Sequence, residues 1–372
     1  MILHGLGVLA VGARSAVANL WRGRAERPID IALPTVASAV EAAVESKLGC
    51  DVTHVSSEEV FQEKAARRKL KRRYVKHLLR AGPPADRDLV VFSRSGPQEV
   101  NEGVESFVSG LTLPELRVPR YYGHAATEEG DTFIWEFVSG KSPLLVHCSR
   151  EQLRRIVRAV AAINASTADA VQRLPNLPVG TMRAFPVADL LRAALVSQGE
   201  IMRRAPTFPA ALDRFAAMEE GALSRLATIG NRFFSHQDIA SGNMLLPPAP
   251  NPPAVLDWES AAIAAPGVGL RRFATLDIDT QWDAAQHYVD YLETKGISVK
   301  FRDVLFVMRA AQVFCSLHEG VNRLGDAPKR AEKAIRWGLA RAPGYFSRGL
   351  ILLSVHFADE LMGWLSLGLA QV

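Results

Sequence analysis

Apolar residues recur with helical spacing at Val36, Val40, Ala43 and Val44, so the chain up to about residue 48 is expected to form one or two helices. Past residue 50 the pattern changes. Residues 51–60 read as a strand. RRYVKHLLR, AGPPADR and DLVVFSRS then read as strand, turn and strand, because Gly-Pro-Pro punctuates and a β-branched run follows. Ser95-Gly96-Pro97-Gln98 offers a helix start, with Ser95 as cap, Pro97 in the first turn and Gln98 at the capping-box position. Val100, Val104, Phe107 and Val108 give that helix an apolar stripe. RVPRYYGHA and DTFIWEFVSG return to strand-like patterning.

Beyond Lys141 the pattern is mostly helical, at 152–165, 187–203, 302–322 and 349–367. One β island interrupts it, NRFFSHQDIASGNMLLPPAPNPPAVLDWES, in which Met244-Leu245-Leu246 and Ala254-Val255-Leu256 are short apolar strands joined by a Pro/Asn turn. No internal repeat is visible. The outline is an α+β fold with three parts: an N-terminal helical extension at 1–48, a small β-rich lobe at 49–139, and a larger, mainly helical lobe at 140–372.

Composition narrows the class. The chain has 372 residues, 48% hydrophobic and 22% charged, enough to bury a core without staples and unlike a disordered or disulfide-stapled chain. Cys50, Cys148 and Cys315 are few and far apart, which disfavours a zinc site and a disulfide framework and fits a reducing cytoplasm. The 44 basic and 39 acidic residues leave a net charge of +5, too little to argue for nucleic acid. Ten basic residues and one acid fall within 64–87, read as the solvated face of a strand pair. No stretch reads as a stable membrane span. The apolar opening has its first arginine, Arg14, after the run rather than before it, the wrong order for a secretory signal.

The polar residues of the β island carry the chemistry. Asp238 and Asn243 lie five apart on one loop, and pairing of the two short strands would bring Asn243 and Asp257 together. A carboxylate beside an amide oxygen suits a hard cation such as Mg²⁺, which keeps substrate phosphates in its shell. A second carboxylate can orient a nucleophilic hydroxyl. Ordinary turn residues are the alternative, since Asp and Asn favour turns.

His236-Gln237-Asp238-Ile239-Ala240-Ser241-Gly242-Asn243 resembles the catalytic loop of the aminoglycoside phosphotransferase and choline kinase family, and Leu256-Asp257-Trp258-Glu259 resembles the metal-binding segment that follows it there. The resemblance implies a bilobal protein-kinase-like fold and transfer of a phosphoryl group from ATP or GTP, with Mg²⁺, to a hydroxyl of a small molecule. It assigns the acceptor hydroxyl to Asp238 and the metal to Asn243 and Asp257, with His236 as a brace. The segment ending Glu136-Phe137-Val138-Ser139-Gly140 sits where the family's hinge strand would, which makes Glu136 and Val138 candidates at the nucleotide.

The N-terminal half departs from the family. No Gly-rich loop is visible at 55–61, and DLVVFSRS lacks the expected lysine. Arg94 is the nearest cation, with Lys76 as the alternative. Glu102 is its partner by resemblance, although Glu105 lies nearer the apolar stripe. After the metal segment the family has P-x-x-D-L, whereas this chain has Pro266-Gly267-Val268-Gly269-Leu270. That lost carboxylate keeps open a degenerate relative that binds a nucleotide or metabolite without turnover. A protein kinase is disfavoured, because only about a dozen residues separate Asp257 from Gly269, too few for an activation segment. Carboxylates are sparse between Leu270 and Trp337, where Arg271, Arg272 and Arg309 oppose them, so a neutral or singly charged, partly apolar acceptor is expected over an aminoglycoside.

Overall fold

A computed structural model describes residues 33–60, 73–96, 100–168, 171, 187–196, 208–239, 242–323 and 328–346. The helices expected before residue 33 and at 349–367, and much of the basic run, lie outside them. The described residues fall into two compact units. One is drawn from Met1–Pro97 and Tyr122–Ile134, the other from Gln98–Tyr121 and Trp135–Val372.

In the first unit, Thr35 starts helix α1 (Val36–Leu48), its hydroxyl accepting from the Ser38 amide at 3.2 Å. Val36, Val40 and Val44, the residues of the helical pattern, pack on Val52, Leu79, Ala81 and Val91 of a five-stranded antiparallel sheet. The strands are β1 (Val52–Glu59), β2 (Arg73–Ala81), β3 (Arg87–Ser95), β4 (Tyr121–Thr127) and β5 (Gly130–Glu136), in the order β1-β2-β3-β5-β4. Alternation along β2 turns Val75, His77, Leu79 and Ala81 inward. His77 is held between the hydroxyls of Ser57 (2.9 Å) and Ser93 (2.8 Å). Burial, helped by the nearby charge of His54 and Arg73, lowers its pKa to about 4.

Two sequence expectations need correction. Ser95 is not a helix cap. It is the last residue of β3, paired with Arg73, and its buried hydroxyl bonds Thr132 Oγ1 at 2.8 Å. The sheet ladder outcompetes local capping there. Helix α2 (Glu102–Ser109) starts later, at Asn101, whose side chain accepts from the Val104 amide. The strand expected from RVPRYYGHA begins only at Tyr121.

The second unit is mainly helical: α3 (Arg150–Thr167), α4 (Ala188–Val196), α5 (Phe208–Ile229), α6 (Ile278–Thr294), α7 (Phe301–Asn322) and α8 (Pro328–Phe346) follow α2. Ser149 and Gln152 form a reciprocal capping box at the start of α3. Arg150 and Arg154 on α3 clamp Asp283 on α6 and hold its carboxyl far below the usual carboxylate range. Among the described residues α7 is the one helix long and apolar enough to cross a bilayer by length and composition. Most of it is buried instead, in the helical core with Phe215, Leu339 and Phe346.

The β island lies in this unit. Strand β6 (Phe233–His236) pairs with β9 (Ala261–Ala264), and the short β7 (Met244–Leu245) pairs with β8 (Ala254–Val255). Leu246, expected to extend β7, bridges Lys141 instead. A 3₁₀ segment, Val268–Thr275, follows β9 and packs on α7.

Candidate active site

The register of the β7–β8 hairpin places the polar ends of its strands side by side. Met244 faces Val255, and one step out the Asn243 carbonyl accepts from the Leu256 amide at 2.8 Å. Asn243 and Asp257 are thereby brought to the same end of the hairpin, as the sequence spacing required. Asn243 Nδ2 donates to the Asp238 carbonyl at 3.1 Å, which commits the amide nitrogen and leaves Oδ1 as the oxygen a cation would meet. Asp257 adopts φ +63, unusual for a residue with a side chain, at the entry to the short 3₁₀ turn Trp258–Ser260. Gly242, just before Asn243, sits at φ +109, a conformation that strains any side chain, and its amide donates to Ser142 Oγ.

His236 ties the two loops together. Its Nε2–H donates to the carbonyls of Leu256 (3.0 Å) and Asp257 (2.9 Å), and Nδ1 accepts from the Asp238 amide at 3.2 Å. That pattern requires the neutral ring. Burial lowers its pKa, in keeping with a brace rather than a proton carrier. Trp258 packs edge-on against the ring at 4.9 Å and stacks on Phe234, and at 2% exposure it is a core residue. Behind them Asn164 of α3 donates to the Phe234 carbonyl and accepts from Tyr288 of α6, which fixes β6 between two helices.

The grip on Asp238 was not visible in the sequence. Arg271, 2% exposed, reaches it from the 3₁₀ segment and donates to three acceptors: Asp238 Oδ1, the Gln237 carbonyl at 2.6 Å and Gln312 Oε1 at 2.9 Å. Arg272 adds a contact to the same Oδ1 at 3.3 Å. Asp238 Oδ2 has no hydrogen-bond partner among the described residues, and the side chain is one-third exposed. The missing aspartate of the P-x-x-D-L pattern leaves no gap. A Cβ added at Gly269 would stand 2.8 Å from Val160 Cγ1 and 3.3 Å from Ser235 Oγ. The space is closed, and the guanidinium two residues on reaches the loop in its place. The only hint in the sequence is the pair of adjacent arginines, Arg271-Arg272, among the few carboxylates that follow Leu270.

The remaining candidates are placed as follows. Arg94 is buried on β3 of the first unit. Lys76 is partly exposed on β2 and lies 3.8 Å from Glu58. Of the two glutamates on α2 in the second unit, Glu102 is exposed, while Glu105 is buried and accepts from Trp135 Nε1 at 2.9 Å. Glu105, the one nearer the apolar stripe, is the inward carboxylate. Glu136 commits its carboxylate to Arg117 (2.5 Å) and the Arg120 amide (3.2 Å), and Val138 is buried. Among the described residues no group of three or more His, Cys, Asp or Glu is clustered for a metal ion. The oxygen pair Asn243 and Asp257 fits a hard cation that takes its other ligands from phosphate and water.

The phosphotransferase enzyme family model matches residues 105–291, half of the chain, and the protein belongs to that family. No curated protein matches the chain in sequence. Among solved structures, the AMP-bound spectinomycin phosphotransferase is 12% identical with a TM-score of 0.51, covering 85% of this chain and 100% of its own. A macrolide 2'-phosphotransferase from Brachybacterium faecium is 17% identical with a TM-score of 0.46, covering 80% and 96%. Choline kinase from Cryptosporidium parvum Iowa II is 11% identical with a TM-score of 0.49, covering 84% and 93%. The first of these likenesses carries the fold, which is α+β and protein-kinase-like.

Proposed function

We propose that this member of the phosphotransferase family transfers the γ-phosphoryl group of ATP or GTP to a hydroxyl of a small molecule in the cytoplasm. The observation that supports this reading best is the state of Asp238. One carboxylate oxygen is held by two guanidinium groups, while the other is unengaged among the described residues and partly exposed. In this role Oδ2 accepts the hydrogen bond, and in the transfer the proton, of the acceptor hydroxyl, and turns the lone pair of the hydroxyl oxygen along the line of attack. Arg271 keeps the carboxylate from turning, and neutral His236 keeps the loop against the Asp257 segment. Asn243 Oδ1 and the Asp257 carboxylate hold Mg²⁺, which neutralises phosphate charge when bound. Arg94, with Glu102 or Glu105 as its carboxylate, is proposed for the phosphates, and the backbone around Glu136 and Val138 for the nucleotide base.

The catalytically degenerate alternative drew on the missing aspartate at position 269. The closed space there and the substitute brace from Arg271 favour an active enzyme. The deciding experiment measures Mg²⁺-dependent turnover of ATP and GTP against a panel of hydroxyl compounds, with Asp238→Asn as control. Turnover lost in the variant supports the proposal. Nucleotide binding without turnover in the unaltered protein establishes the degenerate reading instead.

A further inference from the structure

The second unit contains a cavity of about 870 Å³ where the start of α7 meets α5, α6 and the end of α8. Its chemistry is lopsided. Four cations line it, Arg225, Lys300, Arg302 and Arg309, against one carboxylate, Asp303. That carboxylate is already bonded to Arg225 at 3.2 Å. Lys300 and Arg302 are exposed and carry no ion pair among the described residues. Arg309 is half-buried. Its Nε donates to Gln281 Oε1 at 2.8 Å, its face lies over Tyr345, and no carboxylate answers it among the described residues. Burial works against its charge and lowers its pKa. A guanidinium held out of water without a counter-ion costs free energy unless an anion joins it. Lys300 also occupies the N-cap of α7, where its side chain makes no cap hydrogen bond to the first amides, so the helix terminus adds to the positive potential.

The walls are aromatic. Trp282, 52% exposed, lies 5.1 Å from Phe301, and Phe306 and Tyr345 present faces that Arg225 and Arg309 already cover. The exposed Trp282, beside Phe301, can stack a flat apolar body and leave its charged end to the cations.

We propose that this cavity binds an organic anion, a carboxylate or phosphate carried on a flat apolar body. The inference stands on the cavity alone and does not depend on phosphoryl transfer. It is tested by titration calorimetry of the whole protein with four probes: 2-naphthyl phosphate, 2-naphthoate, neutral 2-naphthylmethanol and inorganic phosphate. The two aryl anions are expected to bind at least tenfold tighter than either control, to weaken as salt rises, and to be unaffected by excess ADP. Their relative affinities distinguish a phosphate from a carboxylate head group. Arg309→Gln should weaken the aryl anions by tenfold or more, and Trp282→Ala by several-fold. If Arg309→Gln fails to fold, the exposed double change Lys300→Ala with Arg302→Ala takes its place. The proposal is overturned if no aryl anion binds, if the neutral alcohol binds as well, if ADP displaces the probe, or if the folded variants bind like the unaltered protein.

Discussion

The loop between β6 and β7 and the strand pair β2–β3 both present charged groups proposed to handle phosphate chemistry, yet they hold them by different means. Asp238 is fixed by side chains that arrive from 33 and 34 residues further on, and its neighbours by a histidine whose two nitrogens are both engaged. Arg94 takes its place from the sheet register, buried opposite Tyr74, and Lys76 sits two pairs away, partly exposed and 3.8 Å from Glu58. A short, self-referential loop advertises itself through spacing. A lone cation on a strand does not, because any strand position of that parity looks alike until its burial is known.

The largest test of this contrast is Arg271→Met. Removing a buried guanidinium that serves three acceptors leaves the Gln237 carbonyl and Gln312 Oε1 without their donor, and should destabilise the protein by about 3–5 kcal/mol. Thermal unfolding reads it, and Arg271→Lys should recover only part because a single ammonium cannot span the same acceptors. An unchanged melting temperature would mean that the loop holds its shape without help. Next is Asp238→Asn, expected to fold normally and to lose turnover by on the order of 10²-fold or more, as for a positioned acid/base group. Wild-type turnover in that variant removes Asp238 from the mechanism.

The strand pair is sharpened by a smaller effect. A charge-assisted phosphate contact is worth about 1.5–3 kcal/mol, so Arg94→Ala should raise the apparent nucleotide constant roughly tenfold or more while Lys76→Ala leaves it in place. Nucleotide titration of both variants decides, and the reverse pattern transfers the role to Lys76. Asp257→Ala should weaken nucleotide binding more with Mg²⁺ than without, and equal losses in the two titrations would count against a metal role.

The smallest expected effect is pH-dependent and belongs to the sheet. His77 titrates near pH 4 when folded and near 6.5 when unfolded, so its contribution is complete above about pH 6.5 and is lost progressively as pH falls toward 4. Between pH 7.5 and 5.5 that amounts to about 1 kcal/mol. Denaturant titrations of the unaltered protein and His77→Gln at the two pH values should show a smaller difference in the variant.

The α+β outline, the strands around the Gly-Pro-Pro turn, the inward stripe of α2 and the grouping of Asn243 with Asp257 were all legible in the sequence. Each depends on a period or a hairpin register that repeats within a few residues. The burial of Glu105 and the exposure of Glu102 could be read that way too, since helical spacing alone turns Glu105 inward. Tertiary structure alone decided that Ser95 completes a strand instead of capping a helix, because its partners are Arg73 and Thr132. It also decided that Gly269 marks a filled space and that Arg271 holds Asp238. No local pattern can report a brace whose acceptors, Gln237, Asp238 and Gln312, lie more than 30 residues away on either side, because such a contact exists only once the helices have packed.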